Sequence, residues 1–250
     1  MPTIAVSTTV SRSVTTGAYD RVFYSSLAIA MALIVFVGFA PTYYLRAFHA
    51  APVTVSGAAT LSPLAHLHGA LFSVWVLLFV TQTALIANHR IRIHQRLGVA
   101  GAVVATAMVV VGFRTAIASA ARGGAPPGAD PLVFLAVPLF DMVLFAMFVG
   151  TALWYRRNKE AHKRLMLLAY ISIITAAVAR LPGVLPYGPL VFFGLTFILL
   201  LVGVIYDLAS RRRIHRAYVW GGALLVASVP VRLMIAGTDA WMRIAQFLTR

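Results

Sequence analysis

The sequence predicts an all-α, polytopic transmembrane bundle of seven spans, with the N-terminus in the cytoplasm and the C-terminus outside. Three observations carry this prediction. The 250 residues are 61% hydrophobic and only 11% charged, which is more apolar side chain than a water-soluble domain of this size can bury. The apolar residues fall into stretches of about 20, the length that crosses a hydrocarbon core roughly 30 Å thick at 1.5 Å per helical residue. The basic residues, which bring the formal net charge to +15, gather at the ends of those stretches. There they act as topology signals, not as a nucleic-acid surface.

Residues 1–18, rich in Ser, Thr and Val without helical periodicity, are expected to form a flexible cytoplasmic tail ahead of a membrane domain over 19–250. The first apolar run, 22–44, is longer than a signal-peptide core and lacks a small-x-small cleavage site, so it reads as a retained span. The seven spans are placed at 20–46, 62–88, 94–121, 131–156, 159–181, 187–210 and 215–237. Beyond them, Trp241, Ile244, Ala245, Phe247 and Leu248 recur at helical spacing. They predict a short helix at about 239–249, too short to span and suited to the interface.

Orientation follows from Lys and Arg in the short loops, because such residues resist translocation. Arg90, Arg92 and Arg96 separate spans two and three. Arg156, Arg157, Lys159, Lys163 and Arg164 separate four and five, and Arg211, Arg212, Arg213 and Arg216 separate six and seven. The remaining loops offer Arg46, Arg122 and Arg180. With Arg12 and Arg21 on the tail, seven spans put every rich cluster on the cytoplasmic side, and an even number does not. Those clusters are expected to attract anionic lipid headgroups. Three similar steps, Arg92-Ile-His94-Gln-Arg96, Glu160-Ala-His162-Lys-Arg164 and Arg213-Ile-His215-Arg216, each open an outward-going span. The same spans carry Arg114, Arg180 and Arg232 further along, so spans two to seven read as three related helix pairs.

Charge inside the membrane usually faces the bundle interior and finds a partner. Asp141 and Arg114 fall at matching depth in spans four and three, which predicts an Arg114–Asp141 ion pair. Such a pair either fixes helix register or lines a cavity. Pro138 and Pro230 stand close to Asp141 and Arg232, where a missing N–H kinks the helix and exposes a carbonyl. Arg180 and Arg232, near the outer ends of their spans, can snorkel. Together with His66 and His68 they describe an outward-facing positive pocket for an anion: a haem propionate, a carboxylate or a lipid headgroup.

His66 and His68 follow Ser62 as N-cap and Pro63 at the first helical position. Two residues apart on a helix is roughly 200° of rotation, so the two cannot share a metal, and His68 is expected to face the core. His94, His162 and His215 open three spans on the cytoplasmic side. If they converge, they can hold a divalent transition metal or one end of a haem site; otherwise they sit solvated in the headgroup layer.

Several chemistries are excluded. The chain has no cysteine, which removes disulfides, thiolate metal sites and iron–sulfur clusters. Its lysines, Lys159 and Lys163, lie together in one basic loop, so no retinal Schiff base forms in the last span. No H-x-x-x-H, Walker A or dinucleotide-binding fingerprint occurs.

Through His66-Leu-His68-Gly69 with Trp75, Leu77 and Gln82, then His94-Gln-Arg96-Leu-Gly98, His162-Lys-Arg164-Leu-Met166 and Arg180, the chain resembles a group of bacterial seven-helix membrane proteins to which no activity is attached. The resemblance covers most of residues 20–250 and implies a multi-pass protein of the bacterial inner membrane. The His-x-Arg-x-Met step also resembles that of small four-helix, haem-linked oxidase assembly proteins. The chain departs from the cytochrome b561 pattern, because His68 has no outer-side histidine partner on another helix.

The leading functional expectation is a membrane-embedded redox or haem-handling protein. It would take haem b, with His68 and one of His94 or His162 as ligands and arginines on the propionates. A second reading is a transporter or small-ligand-binding protein with a polar cavity around Arg114, Asp141 and Arg232. A third is a non-catalytic subunit or assembly partner of a membrane complex.

Overall fold

The computed structural model describes residues 7–48, 60–126 and 128–250, and over these it is helical with no strand. Its helices are α1 (Ser7–Phe39), α2 (Pro63–Ala87), α3 (Ile91–Ala121), the short α4 (Pro131–Phe134), α5 (Ala136–Trp154), α6 (Lys159–Val178), α7 (Pro189–Arg211), α8 (Arg216–Ala236) and α9 (Asp239–Leu248). The first six residues of the expected tail lie outside the described residues, and α1 is already helical from Ser7. Among the described residues seven segments are long and apolar enough to cross a membrane, α4 and α5 counting together as one. The chain is therefore a multi-pass integral membrane protein whose solvent is the lipid bilayer. Successive spans run antiparallel. We call the end that holds residues 88–90, 155–158 and 212–215 the basic end, and the other the far end.

Local chemistry sets the helix boundaries. Ser62 caps α2, accepting from the Ala65 N–H, with Pro63 in the first turn. Asp130 caps α4, Asn158 caps α6 and Thr238 caps α9. Gly188, at φ 77°, turns the chain into Pro189 at the start of α7. Beyond Phe39 the first span widens into a π turn over Ala40–Tyr44, closed by the Leu45 N–H on the Ala40 carbonyl at 2.7 Å. Pro41 has no N–H to continue the narrower ladder, which accounts for the wider register. The fourth span breaks at Leu135, three residues before Pro138. There the indole N–H of Trp241 on α9 donates to the Leu132 carbonyl at 2.8 Å, latching the C-terminal helix onto the break.

The span with the lowest mean hydropathy, α6, is the most deeply buried of the seven. It packs against α1, α5, α7 and α8. Leu167, Leu168, Ala169, Tyr170, Ile171 and Ile174 form the centre of the core. Lipid does not drive helices together as water does, so close backbone approach and interhelical polar contact matter more here. Gly38 of α1 supplies one such approach: a Cβ there would overlap the Ala177 carbonyl of α6, a backbone atom that cannot swing aside. Gly112 of α3 admits Met142 of α5 in the same way.

This contact gives a prediction. Gly38→Ala should separate α1 from α6 and cost about 1–3 kcal/mol, the usual range for overpacking. It would be read as a lowered thermal midpoint in detergent. Gly150→Ala, at a position with open space around it, should leave the midpoint unchanged or raise it slightly.

Candidate functional site

Polar side chains inside the bundle form three groups, one at the far end and two at the basic end. At the far end Asp141 of α5 is bonded to Arg232 of α8, Oδ1 to Nη1 at 2.5 Å, and the guanidinium is 1% exposed. Arg232 also donates to the Ser228 carbonyl (3.1 Å) and hydroxyl (2.8 Å), and lies over the Phe193 and Phe140 rings. This corrects the expected Arg114–Asp141 pair. Arg114 is exposed and makes no ion pair among the described residues. The buried stripe of α3 is Gly101, Ala105, Met108, Gly112, Ala116 and Ala120, and a residue two positions from Gly112 points roughly 200° away from it. On α8, by contrast, Arg232 continues the buried stripe Gly221, Leu225, Ser228. Depth allowed either arginine; helical azimuth decides.

The expected outward pocket does not form as one site. Arg232 is committed to Asp141, whereas Arg180 donates to the Ala176 carbonyl and lies over the Phe39 ring, 4.8 Å from its centroid. His66 is exposed, with its carbonyl accepting from the Tyr43 hydroxyl. His68 turns inward, as expected, and stacks on Phe72 at 4.0 Å with its Nδ1 buried and unpartnered.

At the basic end six charged side chains make a network that sequence reasoning missed. Asp207 of α7 and Arg164 of α6 are both fully buried and joined fork to fork, Nε to Oδ2 at 2.8 Å and Nη2 to Oδ1. Arg164 also bonds the Glu160 carboxylate and carbonyl, each at 2.7 Å. Asp20 of α1 accepts from Lys163 (2.6 Å), Arg211 (2.5 Å) and the Tyr206 hydroxyl (2.7 Å). Lys163 reaches Glu160 as well, at 2.6 Å. Three carboxylates thus balance three cations. The signal was available: Arg164 lies five residues into α6 and Asp207 four from the end of α7, which is matching depth at the same end.

His215, expected beside His94 and His162, is taken up at this network instead. Its backbone N–H donates to Asp207 Oδ2 at 3.1 Å, and its ring Nδ1 accepts from the Ala217 N–H as the cap of α8. Burial first, and then the Arg164 charge, hold its imidazole below the ordinary 6.5. With Glu160, Arg211 and Arg213 it lines a half-open pocket of about 440 Å³.

The other two histidines do meet. His94 in the first turn of α3 and His162 in the first turn of α6 face each other with ring centroids 6.4 Å apart, nearly perpendicular. Both are half-buried. His162 Nδ1 is 2.8 Å from the Ala152 carbonyl, which makes it the protonated nitrogen and leaves Nε2 with its lone pair. His94 Nδ1 is buried without a partner. Gln82 of α2 donates its amide N–H to the His94 carbonyl at 3.2 Å, so its amide oxygen is the atom left buried and unpartnered. Gln82 also fixes where His68 stands relative to this pair. The two share α2, 14 residues or about 21 Å apart along the helix. The expectation that His68 serves with His94 or His162 is corrected accordingly: no single iron takes ligands from both ends. Among the described residues no group of three or more His, Asp or Glu side chains is placed to hold a metal ion.

Comparisons with protein families, with characterised proteins and with solved structures give no match to this chain.

Two predictions follow from the basic end. Arg164→Met leaves the buried Asp207 with only the more distant Arg211, at 3.7 Å, and the His215 backbone N–H, and should cost about 3 kcal/mol, whereas Arg164→Met with Asp207→Leu should recover much of that loss. Thermal midpoints of the two single variants and the double variant form the check. For His215, a folded pKa below the unfolded value means that the unfolded chain binds the proton first. The cap's stabilisation is present above pH 6.5 and is lost as pH falls from there through the lower folded value. In His215→Asn, which keeps a capping oxygen, the thermal midpoint should lose this acid-side decline.

Proposed function

We propose that the protein is a membrane-embedded component that binds a transition-metal centre, haem iron or a free ion, at the His94–His162 pair. It would sit in the bacterial inner membrane with the basic end in the cytoplasm, as the distribution of Lys and Arg favours. The observation that carries the reading is the facing of two imidazoles from different helices, each with a nitrogen free to act as ligand. One metal bonded to both rings at about 2.0–2.1 Å places their centroids from about 5 Å, for tetrahedral ligands, to about 6.5 Å, for opposed ones; the observed 6.4 Å matches the opposed arrangement, and a tetrahedral ion would draw the rings about 1 Å closer. The half-buried setting leaves a route for a guest, and the His-x-Arg-x-Met resemblance to haem-linked assembly proteins begins at His162.

A ligand cavity around Asp141 and Arg232 is less well supported. Arg232 is already bonded to Asp141 and Ser228, Arg114 is absent from the site, and a satisfied pair of this kind fixes helix register. Haem propionates would find Arg92 and Arg96 exposed near the histidine pair.

The test is an optical and elemental one on tag-free protein purified in mild detergent. Haem titration should give a Soret band, or metal analysis should give a bound first-row ion, and either signal should fall at least tenfold in His162→Gln. No signal from wild type, or equal signals from wild type and variant, would falsify the reading.

A further inference from the structure

Three polar atoms of the basic end stand out because they belong to no hydrogen bond the fold needs: His94 Nδ1 and the Gln82 amide oxygen, both buried and unpartnered, and His162 Nε2, whose sister nitrogen is fixed on Ala152. We propose that Gln82 Oε1, His94 Nδ1 and His162 Nε2 form a site for one divalent first-row metal ion, of the Zn²⁺ type. The proposal rests on the His94–His162 reading above and names the ion class and a third ligand for it.

The chemistry suits the atoms. Imidazole nitrogens and an oxygen donor are borderline-to-hard ligands of the kind divalent zinc, cobalt and manganese accept, and three protein ligands leave a fourth position open. Buried polar atoms without partners are costly, and binding an ion is one way they are satisfied. The outer contacts needed to hold such ligands are present. The His162 Nδ1–H rests on the Ala152 carbonyl at 2.8 Å, and the Gln82 amide N–H on the His94 carbonyl at 3.2 Å. Bonds of this kind orient metal ligands and fix their tautomer. They also tie α2, α3 and the α5–α6 hairpin to one point.

The positive charge of the region is no obstacle. Lys163, adjacent to His162, is bonded to both Asp20 and Glu160, and Arg164 to Asp207 and Glu160. Arg92 and Arg96 are exposed, where solvent and headgroups screen them. An amide oxygen brings no charge, so the site is weaker than one with a carboxylate in that place and suits an ion that exchanges.

Tag-free full-length protein in mild detergent is titrated with Co²⁺ as the visible probe, and then with Zn²⁺ in competition. The visible d–d bands of bound Co²⁺ should appear and be displaced by Zn²⁺ at one equivalent. Affinity should fall at least tenfold in Gln82→Leu and in His94→Gln, and rise at least severalfold in Gln82→Glu, a gain that misfolding cannot produce. Equal affinity in wild type, Gln82→Leu and Gln82→Glu would overturn the third ligand. Binding retained by the His94→Gln/His162→Gln double variant would overturn the site. A His162-dependent Soret band without any Co²⁺ or Zn²⁺ binding would overturn this inference while leaving the broader reading standing; absence of both signals would end both.

Discussion

A guanidinium with no access to solvent is the constraint around which this bundle is arranged. Arg164 sits inside the least apolar span, and lipid offers it nothing. The protein answers with Asp207 from α7, Glu160 from its own first turn and the Tyr218 ring 5.7 Å away. Once Asp207 is drawn in, Arg211 one turn on is placed to reach Asp20, and α1 is secured to the same point through Lys163 and Tyr206. The flat stacking of Phe23 on Tyr206 at 3.7 Å closes the junction on its apolar side. Three helices, α1, α6 and α7, are thereby tied at one end by charge, and α8 joins them through the Tyr218 ring. The far end repeats the device in smaller form with Asp141 and Arg232.

The sequence holds only six acidic residues against 21 basic ones, and all six acids have structural work. Four balance buried or half-buried cations. Asp130 caps α4, and Asp239 lies in the first turn of α9, where the helix dipole favours a negative charge. Much of the surplus positive charge falls on exposed arginines of the basic end, among them Arg90, Arg92, Arg96, Arg156, Arg157, Arg212, Arg213 and Arg216.

Much of the architecture was legible because hydropathy and length act locally. The seven spans lie within a few residues of where apolar run length puts them, and Ser62-Pro63 marked the start of α2 by cap chemistry alone. The polar contacts were less legible, because pairing across helices depends on azimuth as well as depth. Arg114 and Arg232 compete for Asp141 on depth, and the small-residue stripe of α3 was the clue that Arg114 faces outward. Arg164 read as a loop charge because it stands in a basic cluster; only the position of Asp207 at equal depth in another span shows otherwise. Gln82 carried no signal at all as a ligand, since an amide in an apolar helix is recognised only from the groups that meet it. His94 and His162 met because α3 and α6 both pack against α5, and His215 departed because it caps α8.

The position of Arg164 also bears on biosynthesis. Spans enter the bilayer in the order in which they are made, and α6 is made before α7. Until Asp207 arrives, α6 carries a charge that Glu160 satisfies only in part, together with Lys163 and the polar groups of Ser172 and Thr175. Its passage into lipid is thus tied to a helix still to be synthesised. The two spans are best regarded as one inserting unit, a hairpin that commits to the membrane only when its acid and base halves are both present.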